Sequence, residues 1–263
     1  MSGIIDYIPD KNMPVGVFDS GVGGISTLKE LVRMLPGENF IYYGDHANAP
    51  YGCKSAEEVK ELSFSAARYL IQRKVKAIVI ACNTATSAAA AALRNAYPDI
   101  RIIGAEPAVK PAVTEFPGGE VIVMATSTTL SEQKYKDLCG RLSDKADIIP
   151  LSCPGLMDFV ERGELSGNEL KEYLENRLYP VMSDRTRAIV LGCTHYPFVS
   201  DAISEVAGER VKLFDGNKGI AKELKRRLEE AGLLSCRENG SVEYTGSGLD
   251  ERINKLTEML MEI

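Results

Sequence analysis

Only two histidines occur in the 263 residues, and none of the six cysteines (Cys53, Cys82, Cys139, Cys153, Cys193, Cys236) belongs to a C-x-x-C pair. That scarcity argues against a zinc or iron–sulfur site, so no metal is expected. Basic excess is also missing. The 31 Lys and Arg are scattered and outnumbered by 37 Asp and Glu, for a formal charge of −6, which excludes a basic nucleic-acid footprint. No apolar stretch approaches the length of a bilayer span. The segment Met1–Met13, with Asp6, Pro9 and Asp10, lacks the basic start and apolar block of an export signal. A disulfide framework is therefore not expected, and the thiols read as reduced in a cytoplasmic protein.

What is present is an ordinary globular composition, 44% hydrophobic and 26% charged, in a chain long enough for two domains. Strand and helix patterns alternate. Apolar runs at Val15–Phe18, Phe40–Tyr43, Ala77–Ala81, Arg101–Ala105, Glu120–Ala125, Ala146–Leu151, Ala188–Leu191 and Val211–Phe214 read as strands. Helical stripes separate them, and Ser55-Ala56-Glu57-Glu58 is a capping box opening a helix to about Arg73. Such alternation predicts an α/β fold with parallel sheets covered by helices on both faces.

The two halves repeat each other. Val15-Gly16-Val17-Phe18-Asp19-Ser20 opens one, and Val121-Ile122-Val123-Met124-Ala125-Thr126 opens the other. Ser20 and Cys82 are 62 positions apart, Thr126 and Cys193 are 67. We read two pseudosymmetric lobes, each a mainly parallel sheet flanked by helices, with the active site in the cleft between them. Residues 1–106 plus 216–263 form the first lobe and carry Cys82; residues 107–215 form the second and carry Cys193. Pro107, Pro111 and Pro117-Gly118-Gly119 mark the crossing, and Asp215-Gly216-Asn217 the return.

The strongest chemical signal is a pair of matched cysteines. Ala77-Ile78-Val79-Ile80-Ala81-Cys82-Asn83-Thr84 parallels Ala188-Ile189-Val190-Leu191-Gly192-Cys193-Thr194-His195. Each thiol is placed where a strand gives way to a helix start, a position that favours thiolate. A free cysteine is also a common small core residue, which suffices for Cys53, Cys139, Cys153 and Cys236 but accounts poorly for two in equivalent frames. His195 is either a satisfied core histidine or, two positions from a thiol, a group that poises it.

Other motifs keep two readings. Phe18-Asp19-Ser20-Gly21-Val22-Gly23-Gly24 is a strand-to-helix turn. A dinucleotide fingerprint counted from Gly21 fails at Ser26, and the Gly-Lys-Ser/Thr of a P-loop is absent. The loop still suits a carboxylate, because glycines let backbone N–H groups approach an anion. Asp19 is a turn residue or an acid/base helper. In the loop from Gly44 to Gly52, Tyr51 and Gly52 are turn residues or substrate contacts, and His46 reads as a loop residue. Thr126 and Thr129 are equally helix caps or substrate ligands. Glu161, by itself, is a helix-surface carboxylate.

Taken in order, Phe18–Gly24, Pro50-Tyr51-Gly52, Ala81-Cys82-Asn83-Thr84-Ala85 and Gly192-Cys193-Thr194-His195-Tyr196-Pro197 resemble the glutamate racemases, cofactor-independent enzymes of the aspartate/glutamate racemase superfamily. The resemblance runs from about Val15 to Ile220, and four motifs in register make it specific. It implies two lobes enclosing glutamate, with Cys82 and Cys193 as the proton-transfer residues. Asp19 would assist Cys82, and Glu161 and His195 would assist Cys193. Asp19, Ser20, Tyr51, Gly52, Asn83, Thr84, Thr126, Thr129, Thr194 and His195 would line the substrate. The resemblance also implies no cofactor, a homodimer, and D-glutamate supplied to peptidoglycan synthesis. His46 stands where the family commonly has Thr, and Leu213–Asn217 departs from its usual Ile-Asp-Ser segment.

The chemistry fits those residue types. A thiolate loses less hydration than a carboxylate on burial, and its ordinary pKa near 8.5 is easily lowered. Inverting a stereocentre requires a base on one face and an acid on the other. Rival readings are a racemase for aspartate or another amino acid on the same scaffold, a two-lobed amino-acid binder without catalysis, and a thiol hydrolase, which would leave one cysteine unexplained. No convincing pyridoxal site is seen.

Overall fold

The protein is described by a computed structural model covering residues 7–263. Residues 1–6, the start of the segment read as lacking an export signal, lie outside the described residues. The chain runs through β1 (Val15–Asp19), α1 (Ile25–Met34), β2 (Phe40–Asp45), α2 (Ala56–Gln72), β3 (Ala77–Ile80), α3 (Asn83–Ala96) and β4 (Arg101–Gly104). It continues with α4 (Val109–Glu115), β5 (Glu120–Ala125), α5 (Ser127–Ser131), α6 (Gln133–Leu142), β6 (Asp147–Ser152), α7 (Leu156–Glu161), α8 (Asn168–Leu178), β7 (Thr186–Leu191), α9 (Ser200–Ala207) and β8 (Lys212–Asp215). It closes with α10 (Asn217–Glu230), β9 (Val242–Ser247) and α11 (Glu251–Glu262). Two compact units result: residues up to Ala105 together with Asn217–Glu262, and Glu106–Gly216.

The first unit holds a five-stranded sheet in the order β4-β3-β1-β2-β9, parallel throughout. All five residues of β1 and all four of β3 are buried, as expected of central parallel strands covered on both faces. Phe18, Ile78, Ile80, Leu70, Leu93 and Tyr51 share one core cluster with Cys82 at its edge. Burying a side chain such as Leu70 contributes about 2 kcal/mol. The α2 helix begins where the capping box is: Ser55 Oγ accepts the Glu58 N–H, while the Glu58 carboxylate turns to Lys54 at 2.9 Å.

The second unit holds a four-stranded parallel sheet, β6-β5-β7-β8. Its order repeats β2-β1-β3-β4 of the first, and the two sheets share hydrogen-bond detail. Phe18 pairs with Ile80 and the next bond is Ala81 N–H to Phe18 O, 2.9 Å. Met124 pairs with Leu191 and the next bond is Gly192 N–H to Met124 O, 2.7 Å. Extending each register two residues beyond those pairs sets Ser20 across from Cys82 and Thr126 across from Cys193. In both sheets these ends lie where strand order reverses, the position at which open α/β sheets bind ligands.

The structure adds two elements beyond the sequence reading. Strand β9, Val-Glu-Tyr-Thr-Gly-Ser, carries too little apolar character to stand out, because it is an edge strand whose residues are half-buried or exposed. Helix α4 occupies the stretch whose prolines suggested only a crossing. Pro111 is its third residue, inside the first turn, where a missing N–H costs no helical bond.

Candidate active site

In the first unit the carboxyl ends of β1 and β3 bring Asp19, Ser20 and Cys82 together. Asp19 is fully buried, and its Oδ1 accepts the Gly21 N–H at 3.1 Å. Tyr42 on β2 donates to Gly21 O at 2.6 Å, tying the glycine loop to the neighbouring strand. Cys82 is the N-cap of α3, and its Sγ accepts the Ala85 N–H at 3.4 Å. Sulfur at a helix N-terminus faces backbone donors and the positive end of the dipole. Asn83 and Thr84 follow on the first turn of the same helix; the Asn83 Oδ1 is buried without a hydrogen-bond partner among the described residues.

Tyr51 and Gly52 sit in a 3₁₀ turn, Tyr51–Cys53, that packs against α3. The Tyr51 side chain is buried, and its hydroxyl donates to Asp45 Oδ2 at 2.6 Å. Burial first, then the hydrogen bond to Asp45 and the negative charges of Asp45, Cys82 and Asp19, push its pKa far above the usual tyrosine value. The hydroxyl stays protonated. His46 lies in a separate turn, His46–Asn48.

In the second unit the equivalent ends carry Thr126, Thr129, Cys193, Thr194 and His195. Thr126 does cap α5: its Oγ1 accepts the Thr129 N–H at 3.2 Å and donates to Thr129 Oγ1 at 3.0 Å. Helix α7 packs against the turn Tyr196–Val199 that follows His195, which aligns a three-group chain. Cys193 Sγ lies 3.8 Å from His195 Nδ1, and His195 Nε2 lies 2.8 Å from Glu161 Oε1. His195 is 1% exposed. Burial alone would lower its pKa, but the contacts and charges of Cys193 and Glu161 outweigh this and raise it to about 10. The ring is therefore cationic at neutral pH, and a cation this close attracts negative charge developing on the sulfur.

Cys153 is also in this unit but is a poor nucleophile. It is buried, its Sγ points to Leu151 O at 3.6 Å, and burial pushes its thiol up to about 12. No group of three or more His, Cys, Asp or Glu side chains among the described residues is arranged to hold a metal ion. No helix among them is long and apolar enough to cross a membrane.

Asp45 and Ser247 escaped the sequence reading. Asp45 carried only a turn signal, and Ser247 lies at the end of a strand that reading did not find.

Comparison with known proteins shows what the chain as a whole is similar to. The model of the Asp/Glu/hydantoin racemase family matches residues 15–224. A glutamate racemase of Clostridium perfringens is 50% identical over 254 residues, covering 96% of this chain and 98% of the relative. Among solved structures, a glutamate racemase isoform from Bacillus anthracis superposes with a TM-score of 0.88 at 31% identity, covering 96% of this chain and 95% of that one. A glutamate racemase from Francisella tularensis, solved in complex with D-glutamate, gives 0.85 at 30% identity, with 96% and 95% covered.

Proposed function

The chain belongs to the Asp/Glu/hydantoin racemase family, and on that premise we propose that it interconverts L- and D-glutamate by direct proton transfer at Cα. The observation that carries the reading is the matched pair Cys82 and Cys193, each at the same register position of a repeated sheet.

The chemistry follows from that pair. One cysteine, as thiolate, takes the α-proton and becomes a thiol; the electron pair stays on the substrate as a carbanion delocalised into its carboxylate. The other cysteine, as thiol, delivers a proton to the opposite face and is left as thiolate, so the reverse reaction exchanges the roles. On the first unit Asp19 is the group beside the proton route of Cys82. On the second, His195, held by Glu161, balances charge on Cys193. Hydroxyl and amide groups of Ser20, Asn83, Thr84, Thr126, Thr129 and Thr194, with the turn at Tyr51-Gly52, provide donors for two carboxylates and acceptors for an ammonium. Exclusion of water from the bound substrate is part of this reading. So are an absence of any added cofactor, a homodimeric assembly, a cytoplasmic location and a role in supplying peptidoglycan synthesis. Their support is the kinship with named glutamate racemases.

The test is proton NMR of L-glutamate incubated with the protein in deuterated water, with no cofactor added. Deuterium should appear at Cα together with the D-isomer, and Cys82→Ala and Cys193→Ala should each abolish racemisation. Full turnover in both variants overturns the two-cysteine assignment. Faster turnover of aspartate than of glutamate transfers the reading to the other amino acid.

A further inference from the structure

Strand β9 has no counterpart in the second unit, whose sheet stops at four strands, and it lies beyond the stretch matched by the family model. Its residues pair with β2 in unbroken register, from Phe40 with Val242 to Asp45 with Ser247. At the end of that ladder Ser247 Oγ donates to Asp45 Oδ1 at 2.5 Å and accepts the Ala47 N–H at 3.1 Å. The hydroxyl thus donates to the end of β2 and accepts from the turn that follows it.

Asp45 is the hub. Its side chain is 3% exposed and receives Ser247 on one oxygen, Tyr51 on the other, and the Asn48 amide at 3.0 and 3.2 Å. Three donors converging on one buried carboxyl are matched by its acceptor-only ionised form. The backbone around Ser247 is shaped for this approach. A Cβ on Gly246 would fall 2.0 Å from Gly44 O, and one on Gly248, at φ +63°, 2.8 Å from Ala47 N. Glycine on both sides lets β9 end in contact with the loop that carries Tyr51 and Gly52.

We propose that Asp45 and Ser247 are positioning residues for substrate binding: through Tyr51 they hold the turn whose Gly52 backbone meets the substrate. This rests on the reading of Tyr51 and Gly52 as substrate-lining residues. Neither Asp45 nor Ser247 touches the reacting atoms. Losing them loosens ground-state and transition-state binding alike, which raises KM and leaves kcat in place.

Steady-state kinetics on the full-length chain test this, with Glu243→Gln as control on the same strand. The Glu243 carboxylate pairs with Arg73 at the surface, 2.8 Å away. Ser247→Ala should raise KM for glutamate about tenfold, as expected for a lost hydrogen bond to a charged group, with kcat within about twofold. Glu243→Gln should leave both constants alone. Asp45→Asn should raise KM further, and the double variant should be no worse than Asp45→Asn alone, because both act through one carboxyl. An unchanged KM in Ser247→Ala, an equal rise in Glu243→Gln, or strictly additive effects would overturn the proposal while wild-type racemisation stands. A silent wild-type enzyme would instead remove the racemase reading and this proposal together.

Discussion

His195 Nε2 lies 2.8 Å from Glu161 Oε1 across a turn and a short helix, although 34 residues separate them in sequence. With Cys193 Sγ 3.8 Å from the other ring nitrogen, the imidazole is gripped at both ends, and its protonation state follows from those two neighbours.

The pH dependence of stability has a definite sign here. His195 is raised from 6.5 to about 10, so its contribution is complete below pH 6.5 and is lost as pH climbs through 10. Urea midpoints measured from about pH 6.5 to 10 should fall in the wild type, and His195→Gln should lack that part of the slope. With only two histidines in the chain, ring NMR signals can follow the same event directly. Glu161→Gln should move the His195 titration to lower pH and slow racemisation about tenfold to a hundredfold, the scale of one acid/base partner.

Thiol reactivity should sort by environment. Cys53 and Cys236 are exposed, whereas Cys153 is buried with its thiol pushed up to about 12. At pH 8, iodoacetamide should label the exposed pair and spare Cys153, as read by peptide mass spectrometry. Labelling of Cys153 at the rate of Cys53 would contradict its placement.

Lys76 tests the far end of the first sheet. Its ammonium is fully buried, 2.5 Å from Glu38 Oε2 and 2.9 Å from both Lys11 O and Leu233 O. Lys76→Met strands a buried carboxylate and should cost about 3–5 kcal/mol. Replacing Glu38 by Gln in the same chain should restore part of that, measured by denaturant unfolding.

Gly24 probes the glycine loop. A Cβ there would sit 2.5 Å from Asp19 Cβ and 2.8 Å from the Tyr42 hydroxyl. Gly24→Ala should cost about 1–3 kcal/mol by overpacking and remove most racemisation by displacing Asp19. At Gly140 nothing lies within 4 Å. Gly140→Ala, inside α6, should stabilise by about 0.5–1 kcal/mol and leave the rate unchanged.

Much of this molecule is written locally. Runs such as Ala-Ile-Val-Ile at 77–80 can only be buried strands once helical stripes flank them. Ser55 caps α2 because a short side-chain oxygen satisfies an orphan N–H within three residues. The repeated strand-end cysteines were legible for the same reason, since the periodicity that makes a strand also marks where it stops. Residues joined only through space were not. Glu161 looks like any helix-surface carboxylate until α7 packs beside the His195 turn. Strand β9 lacks an apolar alternation because an edge strand buries little. Asp45 carries only a turn signal until Ser247, 202 positions away, donates to it. Local sequence determined most of the elements and the two sulfur positions, through short-range sterics and hydrophobic period. Tertiary packing alone decided which charged and hydroxyl groups meet, because hydrogen bonds depend on distance in space and leave no periodic trace along the chain.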